Sequence, residues 1–191
     1  MLTSDQFKQE LVKQVVVPSA RSMEELENVI ENSTHQLIMV KFGDVNTLPE
    51  IMRYLKENRR KVMLHQDSLR GVARDHQGLE FLANLQVDYL ITTKPQLVKG
   101  IRKLGMQPIL CLFLIDSDAL RTGLRSNGDM APDAVIVMPS SVPKRAILEI
   151  KKKARVPVIG GGMAFDEEAI QKARKSGFHA IAASKENLWK R

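Results

Sequence analysis

Short apolar segments alternate with helix-forming segments eight times along this chain. The apolar segments are the predicted strands, and they lie at residues 15–17, 36–41, 61–65, 89–92, 108–115, 134–138, 156–159 and 179–183. They are rich in Val, Ile and Leu without strict alternation, which is typical of a parallel sheet covered on both faces. Eight such units favour a closed barrel over an open sheet. We therefore predict a small (β/α)8 barrel of the TIM type, one domain over residues 1–191 with short loops.

Local signals support the predicted helices. Residues 1–14 form a leading helical segment in which Phe7 and Leu11 lie one turn apart. Ser22 precedes two glutamates and is a suitable cap for the helix after the first strand. Pro143 stands at a helix start, where its missing N–H costs nothing.

Composition predicts a cytoplasmic protein with no membrane partner. The longest apolar run, Ile109–Ile115, is too short to span a bilayer. The first residues include Asp5 and Lys8 and contain no signal-peptide core. The single cysteine, Cys111, lies in an apolar strand and is predicted to be a core residue.

Positive charge is concentrated in the last part of the chain. The net charge is +7, and residues 141–191 carry all of this excess. The basic residues concerned are Lys144, Arg145, Lys151, Lys152, Lys153, Arg155, Lys172, Arg174 and Lys175. Such a surface attracts phosphate groups, whether of a small ligand, a nucleic acid or a membrane, although solvated helix faces have the same composition.

A glycine triplet follows the seventh predicted strand. Gly160, Gly161 and Gly162 come directly after it, and the eighth strand ends at Ala183 and Ser184, where we expect a short final helix. In (β/α)8 barrels the loops after strands seven and eight commonly grip a phosphate, and glycines allow close backbone approach. We predict that these five residues bind a phosphate group, although three glycines also fit a plain turn.

Other polar residues stand at the carboxyl ends of the predicted strands. We expect His65, Asp67, Lys94, Asp116 and Ser140 to contact the ligand. His65 and Asp67 lie two apart on a strand and could form an acid/base pair or, with Asp116, a metal site. Hydrogen bonding to a polyol is the favoured role, and we predict no metal. Asp116 most simply caps the next helix.

Several sequence blocks resemble one bacterial family of regulators. The blocks are Leu64–Leu82 (LHQDSLRGVARDHQGLEFL), Leu112–Leu120 (LFLIDSDAL), Pro132–Lys144 (PDAVIVMPSSVPK), Val156–Gly162 (VPVIGGG) and Ser184–Lys190 (SKENLWK). They resemble the glycerol-3-phosphate-responsive antiterminators, also called glycerol uptake operon antiterminator regulatory proteins. The resemblance implies a (β/α)8 barrel that binds glycerol 3-phosphate as its effector and needs no cofactor. It also implies that the protein acts on leader mRNA so that polymerase reads through a terminator. Formation of a homo-oligomer stays open.

Four positions depart from the family pattern. The pattern has Arg, Glu, Gly and Thr at the positions of Leu112, Ile136, Ser140 and Ala183. We expect Leu112 and Ile136 to face the barrel interior from neighbouring strands and to contact each other. A joint exchange of a buried Arg–Glu pair for apolar residues would leave the fold intact and make the pocket floor more apolar. We therefore expect weak glycerol 3-phosphate binding.

Two functions remain in competition at this point. The first is a non-catalytic regulator that binds a phosphorylated effector and RNA. Its RNA role depends on the resemblance and the basic surface, because nine aromatic residues and no known RNA motif offer few stacking sites. The second is an enzyme on a phosphorylated metabolite, of the aldolase, epimerase or glycerol-phosphate transferase type. Lys41 or Lys94 could form its Schiff base, although a lysine at a strand end is more often a phosphate contact or a solvated charge. No convincing catalytic constellation accompanies these lysines, so we favour the regulator.

Overall fold

The computed structural model describes residues 4–190, apart from the side chains of residues 4–5 and 124–130. Eight parallel strands close into a barrel in chain order, which confirms the predicted (β/α)8 architecture. The strands are β1 Val16–Ala20, β2 Leu37–Val40, β3 Lys61–His65, β4 Tyr89–Thr92, β5 Gln107–Phe113, β6 Ala134–Met138, β7 Val158–Gly161 and β8 Ala180–Ala183. The helices are α1 Ser4–Gln14, α2 Met23–Asn32, α3 Leu48–Glu57, α4 His76–Asn84, α5 Val98–Lys103, α6 Ser117–Met130, α7 Lys144–Ala154 and α8 Glu167–Ser176.

Three boundaries differ from the sequence prediction in ways that affect the site. Strand β1 continues through Pro18 to Ala20, beyond its predicted end. Strand β7 includes Gly160 and Gly161, so only the third glycine lies in the following loop. The short final helix predicted from Ser184 is a single 3-10 turn, Glu186–Leu188, which supplies no extended helix dipole at the end of β8.

The core has two layers, because alternate residues of each strand point to opposite faces. The inner layer fills the barrel and includes Met39, Met63, Ile109, Ile136 and Ile159. The outer layer packs the strands against the helices. Both sides of the sheet are therefore buried, as the near-continuous apolar strands predict.

The predicted contact between Leu112 and Ile136 inside the barrel is wrong. In the β5–β6 register Cys111 is the partner of Ile136, and Leu112 pairs with Val137. Leu112 belongs to the outer layer, where its Cδ1 would lie 3.0 Å from a Cβ built on Gly123 of α6. The physical reason is that alternation places Leu112 on the same face as its neighbours two residues away, but does not say which face points inward. Only Ile136 contributes to the barrel interior.

Helix α1 closes the amino end of the barrel. Phe7 and Leu11 are fully buried in the inner layer, as their helical spacing suggests. The Phe7 ring stacks on Tyr89, the first residue of β4, with 4.4 Å between ring centroids. Lys61, at the start of β3, forms an ion pair with Glu10 at 3.0 Å. The barrel is thus sealed at one end by side chains of its leading helix.

The first and last turns of the helices place opposite charges at the two ends of the barrel. Side chains of Ser22, Asp75, Asp116 and Asp166 accept hydrogen bonds from backbone N–H groups in the first turns of α2, α4, α6 and α8. First turns carry acidic residues, as in α2 and α8, whereas last turns carry basic residues, as in α5, α7 and α8. Because helices that connect parallel strands all run the same way, acidic starts lie at the carboxyl end and basic ends lie at the amino end. No described helix is long and apolar enough to cross a membrane.

Candidate functional site

A cavity of about 380 Å³ opens at the carboxyl end of the barrel. It lies where β7 and β8 meet β1, β2 and β6, which is the position predicted for a phosphate-binding site. Its lining comprises Ser19, Arg21, Met39, Lys41, Met138, Gly161, Gly162, Met163, Ala164, Phe165, Ala182, Ala183, Ser184 and Lys185. The pocket is therefore offset to one side of the barrel mouth.

The charge of this pocket suits an anion. Three cationic side chains line it, and its lining includes no carboxylate. Arg21 is bound to Glu25 by two short contacts, of 2.7 Å and 3.1 Å, so most of its charge is balanced. The Lys185 ammonium lies 5.8 Å from the centre of the Phe165 ring. Lys41 is half-buried at the end of β2 and forms no ion pair with any carboxylate that the structure describes. An anion would give the Lys41 ammonium a partner.

The three glycines have three different environments. A Cβ on Gly160 would point to the outer layer, 2.9 Å from Ile181 and 3.0 Å from Ser140, so this glycine serves close packing and does not line the pocket. A Cβ on Gly161 would point inward, 3.0 Å from the Met138 methyl. Gly162 has a φ of +71°, and a Cβ built on it would meet no atom within 4 Å. Gly161 and Gly162 therefore keep the pocket free of side chains on the β7 side.

Ser140, Ala183 and Ser184 lie around the same region with different degrees of access. The buried Ser140 hydroxyl donates to the Gly162 carbonyl at 2.7 Å, which ties the loop after β6 to the loop after β7. Ser140 is outside the pocket lining, so its hydroxyl holds the glycine loop in place. Ala183 and Ser184 both line the pocket, and Ser184 is exposed.

The remaining predicted contacts lie on the other side of the barrel mouth, outside the pocket lining. Asp67 pairs with Arg74 at 3.1 Å and accepts a hydrogen bond from the backbone N–H of Thr93. Asp116 caps α6, accepting from the Ala119 N–H at 2.7 Å. Lys94 directly precedes the 3-10 turn Pro95–Leu97.

His65 and Cys111 are buried at the same end of the barrel and are kept uncharged. Burial, assisted by the positive charge of Lys41, holds the pKa of His65 below its usual value. Burial, together with Asp67, raises the pKa of the Cys111 thiol to about 12. The thiol is therefore protonated at neutral pH and is not an activated nucleophile. No group of three or more potential metal ligands occurs in the part of the chain that the structure describes.

Sequence reasoning missed four polar or charged residues of the pocket lining as ligand contacts. Ser19 and Arg21 were overlooked because the predicted β1 stopped before Pro18, a residue that usually interrupts strands. Lys41 is recognised at a strand end, as a Schiff-base candidate, a phosphate contact or a solvated charge, but is not among the predicted ligand contacts. Lys185 directly follows Ser184, a predicted phosphate-binding residue, and this position is the sequence signal from which Lys185 could have been predicted.

Comparison with known proteins identifies the family. The model of the family described as glycerol-3-phosphate responsive antiterminator matches residues 16–189. This chain belongs to that family. Among solved structures, the glycerol uptake operon antiterminator regulatory protein from Listeria monocytogenes is 26% identical, with a TM-score of 0.87 over 92% of this chain and 95% of the other. A glycerol uptake operon antiterminator-related protein from Thermotoga maritima is 22% identical, with a TM-score of 0.82 over 92% and 98%.

Other relatives of this antiterminator say less about function. An Escherichia coli K12 protein, YgcP, whose function is uncharacterised, is 26% identical over 91% of each chain. Aldolases resemble the antiterminator more distantly; that of Aeropyrum pernix has a TM-score of 0.67 at 11% identity, over 96% of this chain and 94% of the other. This last similarity shows the shared barrel fold alone.

The predicted basic surface of the antiterminator is divided between the two ends of the barrel. Lys144 and Arg145 open α7 at the carboxyl end, and Arg145 pairs with Glu149 at 3.0 Å. The others lie in the second halves of α7 and α8 or directly after α7, toward the amino end, and comprise Lys151, Lys152, Lys153, Arg155, Lys172, Arg174 and Lys175. The surface predicted as one patch is therefore mainly a feature of the end opposite the pocket.

Proposed function

We propose that this antiterminator binds glycerol 3-phosphate in the pocket at the carboxyl end of its barrel and, in response, acts on leader mRNA. The observation that carries the proposal is the unpaired Lys41 ammonium in a pocket whose lining has no carboxylate. Membership in a glycerol-3-phosphate responsive family supports the identity of the effector. Leader mRNA is a cytoplasmic molecule, so the proposed activity takes place there.

The phosphate would lie against the loops after β7 and β8. In this arrangement the Lys41 ammonium, the Ser184 hydroxyl and the backbone N–H groups of Gly161, Gly162 and Ser184 donate to its oxygens. Leu112 packs outside the barrel and Ile136 lies within it, and neither residue lines the pocket. Ser19 lines the pocket and is the candidate donor to a glycerol hydroxyl.

Titration calorimetry with glycerol 3-phosphate, glycerol and inorganic phosphate tests this assignment. We expect glycerol 3-phosphate to bind, inorganic phosphate to compete and glycerol alone to bind negligibly. Lys41→Gln removes one hydrogen bond from a charged donor, which costs about 1.5–3 kcal/mol and lowers affinity by roughly one to two decades. Lys99→Gln changes the charge equally on the exposed surface of α5 and is the matched control. Equal affinities for the two variants would contradict the assignment of the pocket.

A barrel enzyme acting on a phosphorylated metabolite is the second candidate function. It is favoured by one observation, the half-buried Lys41 at a strand end inside the pocket, where an amine could form a Schiff base. Incubation with phosphorylated aldehydes and ketones followed by borohydride reduction, read by mass spectrometry, distinguishes the two. A covalent adduct on Lys41 together with turnover would support the enzyme, and an unmodified chain that binds glycerol 3-phosphate would support the regulator.

A further inference from the structure

Eight basic residues form an unpaired cationic surface at the amino end of the barrel. They are Lys8, Lys151, Lys152, Lys153, Arg155, Lys172, Arg174 and Lys175, and we call them the amino-end basic surface. None forms an ion pair with a carboxylate whose position the structure describes. Other parts of the barrel differ, since Lys61 pairs with Glu10 and Arg102 pairs with Asp133 at 2.9 Å.

Packing holds some of these charges close together. The Lys151 ammonium donates to the carbonyl of Gly177 at 3.0 Å, which joins the end of α7 to the end of α8. Burial and the nearby Lys8 lower the pKa of Lys151. His179 lies beside them, and its Nδ1 accepts from the backbone N–H of Val158 at 3.0 Å. Positive or titratable groups of α1, of α7 and of the residue before β8 thus lie close together, and none of them pairs with a carboxylate. A bound anion would reduce the repulsion between these groups.

We infer that RNA docks on the amino-end basic surface, across the ends of α7 and α8, on the opposite end of the barrel from the effector pocket. This inference rests on the proposed function and names the surface that its RNA partner would use. The cations are spread over two neighbouring helix ends and α1, so they match several phosphates of a polymer better than one phosphate of a small ligand. Lys144 and Arg145, at the carboxyl end, lie outside this surface.

The composition of the surface favours RNA over a lipid bilayer. Peripheral membrane surfaces usually combine cations with apolar or aromatic side chains that insert between lipids. Among the described side chains of α1, α7 and α8, the large exposed apolar ones are Val12 and Leu148, and neither is aromatic. Electrostatic contact with phosphates needs no inserted side chain.

Fluorescence anisotropy with a random-sequence single-stranded RNA of about 40 nucleotides tests the inference across a salt series. The variant Lys152→Gln/Lys153→Gln/Lys175→Gln changes three exposed residues and spares Lys151, which has a structural contact. Three lost phosphate contacts should lower affinity at least tenfold at low salt. They should also reduce the slope of log affinity against log salt by about 2, since each contact contributes about 0.7 on a single strand.

The matched control is Arg53→Gln/Lys99→Gln/Arg121→Gln, which makes the same change in net charge on α3, α5 and α6. We expect it to keep at least a third of the wild-type affinity. Circular dichroism and urea unfolding of both variants verify that each is folded. Equal losses in the two variants, or an unchanged salt slope in the first, would overturn the inference, as would the absence of RNA binding by the wild type at low salt.

Two further measurements separate this surface from its alternatives. Binding to vesicles of phosphatidylglycerol and phosphatidylcholine, tighter than binding to RNA, would assign the surface to a membrane and overturn the RNA inference. Calorimetry of the Lys152/Lys153/Lys175 variant with glycerol 3-phosphate should give the wild-type affinity, because the pocket lies at the other end. A wild-type protein that binds RNA here but ignores glycerol 3-phosphate would contradict the proposed effector and leave the RNA surface standing.

Discussion

The two ends of this barrel are built for different purposes. At the amino end, Phe7 and Leu11 of α1 fill the opening, and Phe7 stacks on Tyr89. At the carboxyl end a cavity of about 380 Å³ is lined by the unpaired Lys41. Apolar side chains thus fill the opening at the amino end, although the amino-end basic surface lies at the same end, whereas the carboxyl end leaves a charged group without a partner inside an open cavity.

This difference shows how a small barrel separates the filling of its interior from the binding of its effector. Apolar burial at the amino end stabilises the fold by about 25 cal/mol for each Å² removed from water. The carboxyl end forgoes such burial, because a ligand must displace water there and meet unpaired donors. Loops at that end can therefore vary with little cost to the fold, which is why one barrel scaffold serves antiterminators and aldolases alike.

The largest expected effect comes from opening the sealed end. Phe7→Ala removes a fully buried ring that stacks on Tyr89 and should lower the free energy of unfolding by about 3–5 kcal/mol, measured by urea denaturation. Val12→Ala on the same helix is the matched control, because Val12 is 46% exposed, and should cost less than about 0.5 kcal/mol. In the folded fraction, glycerol 3-phosphate affinity should be unchanged. A loss of effector binding would show that the two ends are not independent.

At the carboxyl end, a substitution should lower effector affinity strongly and change stability little. Gly161→Val would place two methyl groups in the pocket beside Met138, whose flexible end can move, so the fold should survive. Glycerol 3-phosphate affinity should fall about a hundredfold or more, which corresponds to about 2.7 kcal/mol. Gly161→Ala adds less volume and should have a smaller effect in the same calorimetric titration. Unaltered binding by the valine variant would place the effector elsewhere.

The sequence was sufficient to predict the barrel because eight strand–helix units leave few other solutions. Strands Lys61–His65, Tyr89–Thr92 and Ala134–Met138 have the predicted bounds, since apolar runs with clear polar flanks define them. The end of β7 could not be predicted, because glycines have no side chain whose pattern distinguishes strand from loop. The end of β1, which includes Ser19, could not be predicted either, because Pro18 is a residue that usually interrupts strands.

The site was predictable only in part, for a physical reason. Alternation shows which residues of one strand share a face, but the stagger between strands decides which face points inward. Leu112 was therefore assigned to the interior although it packs against α6. Whether a cationic side chain forms an ion pair also depends on which residues lie next to it in the fold. Arg21 and Lys41 both line the pocket, but only Arg21 has a glutamate four residues away with which it pairs.

Two glycine substitutions, with smaller expected effects, distinguish the cost of backbone strain from a loss of effector binding. Gly162 and Gly177 have positive φ values of +71° and +111°, and they lie at the open and sealed ends respectively. Replacing either by Ala should cost about 1 kcal/mol of unfolding free energy, because a Cβ is disfavoured in left-handed backbone. Only Gly162→Ala should also weaken glycerol 3-phosphate binding, since Gly177 lies far from the pocket. Equal binding by both variants would indicate that the Gly162 backbone does not contact the effector.

The smallest effect concerns pH, because each end holds one histidine whose pKa is lowered. Burial is the main cause for both; Lys41 assists at His65, and Lys151 assists at His179. Above the unfolded-state pKa of about 6.5 both states are neutral and stability is unaffected. Below it the unfolded chain binds protons that the folded chain resists, so the free energy of unfolding should fall as pH decreases from about 7 to about 5. His65→Gln and His179→Gln should each flatten this slope in urea denaturation at several pH values, and the double variant should flatten it most. A slope that neither variant alters would show that these histidines titrate alike in the folded and unfolded chains.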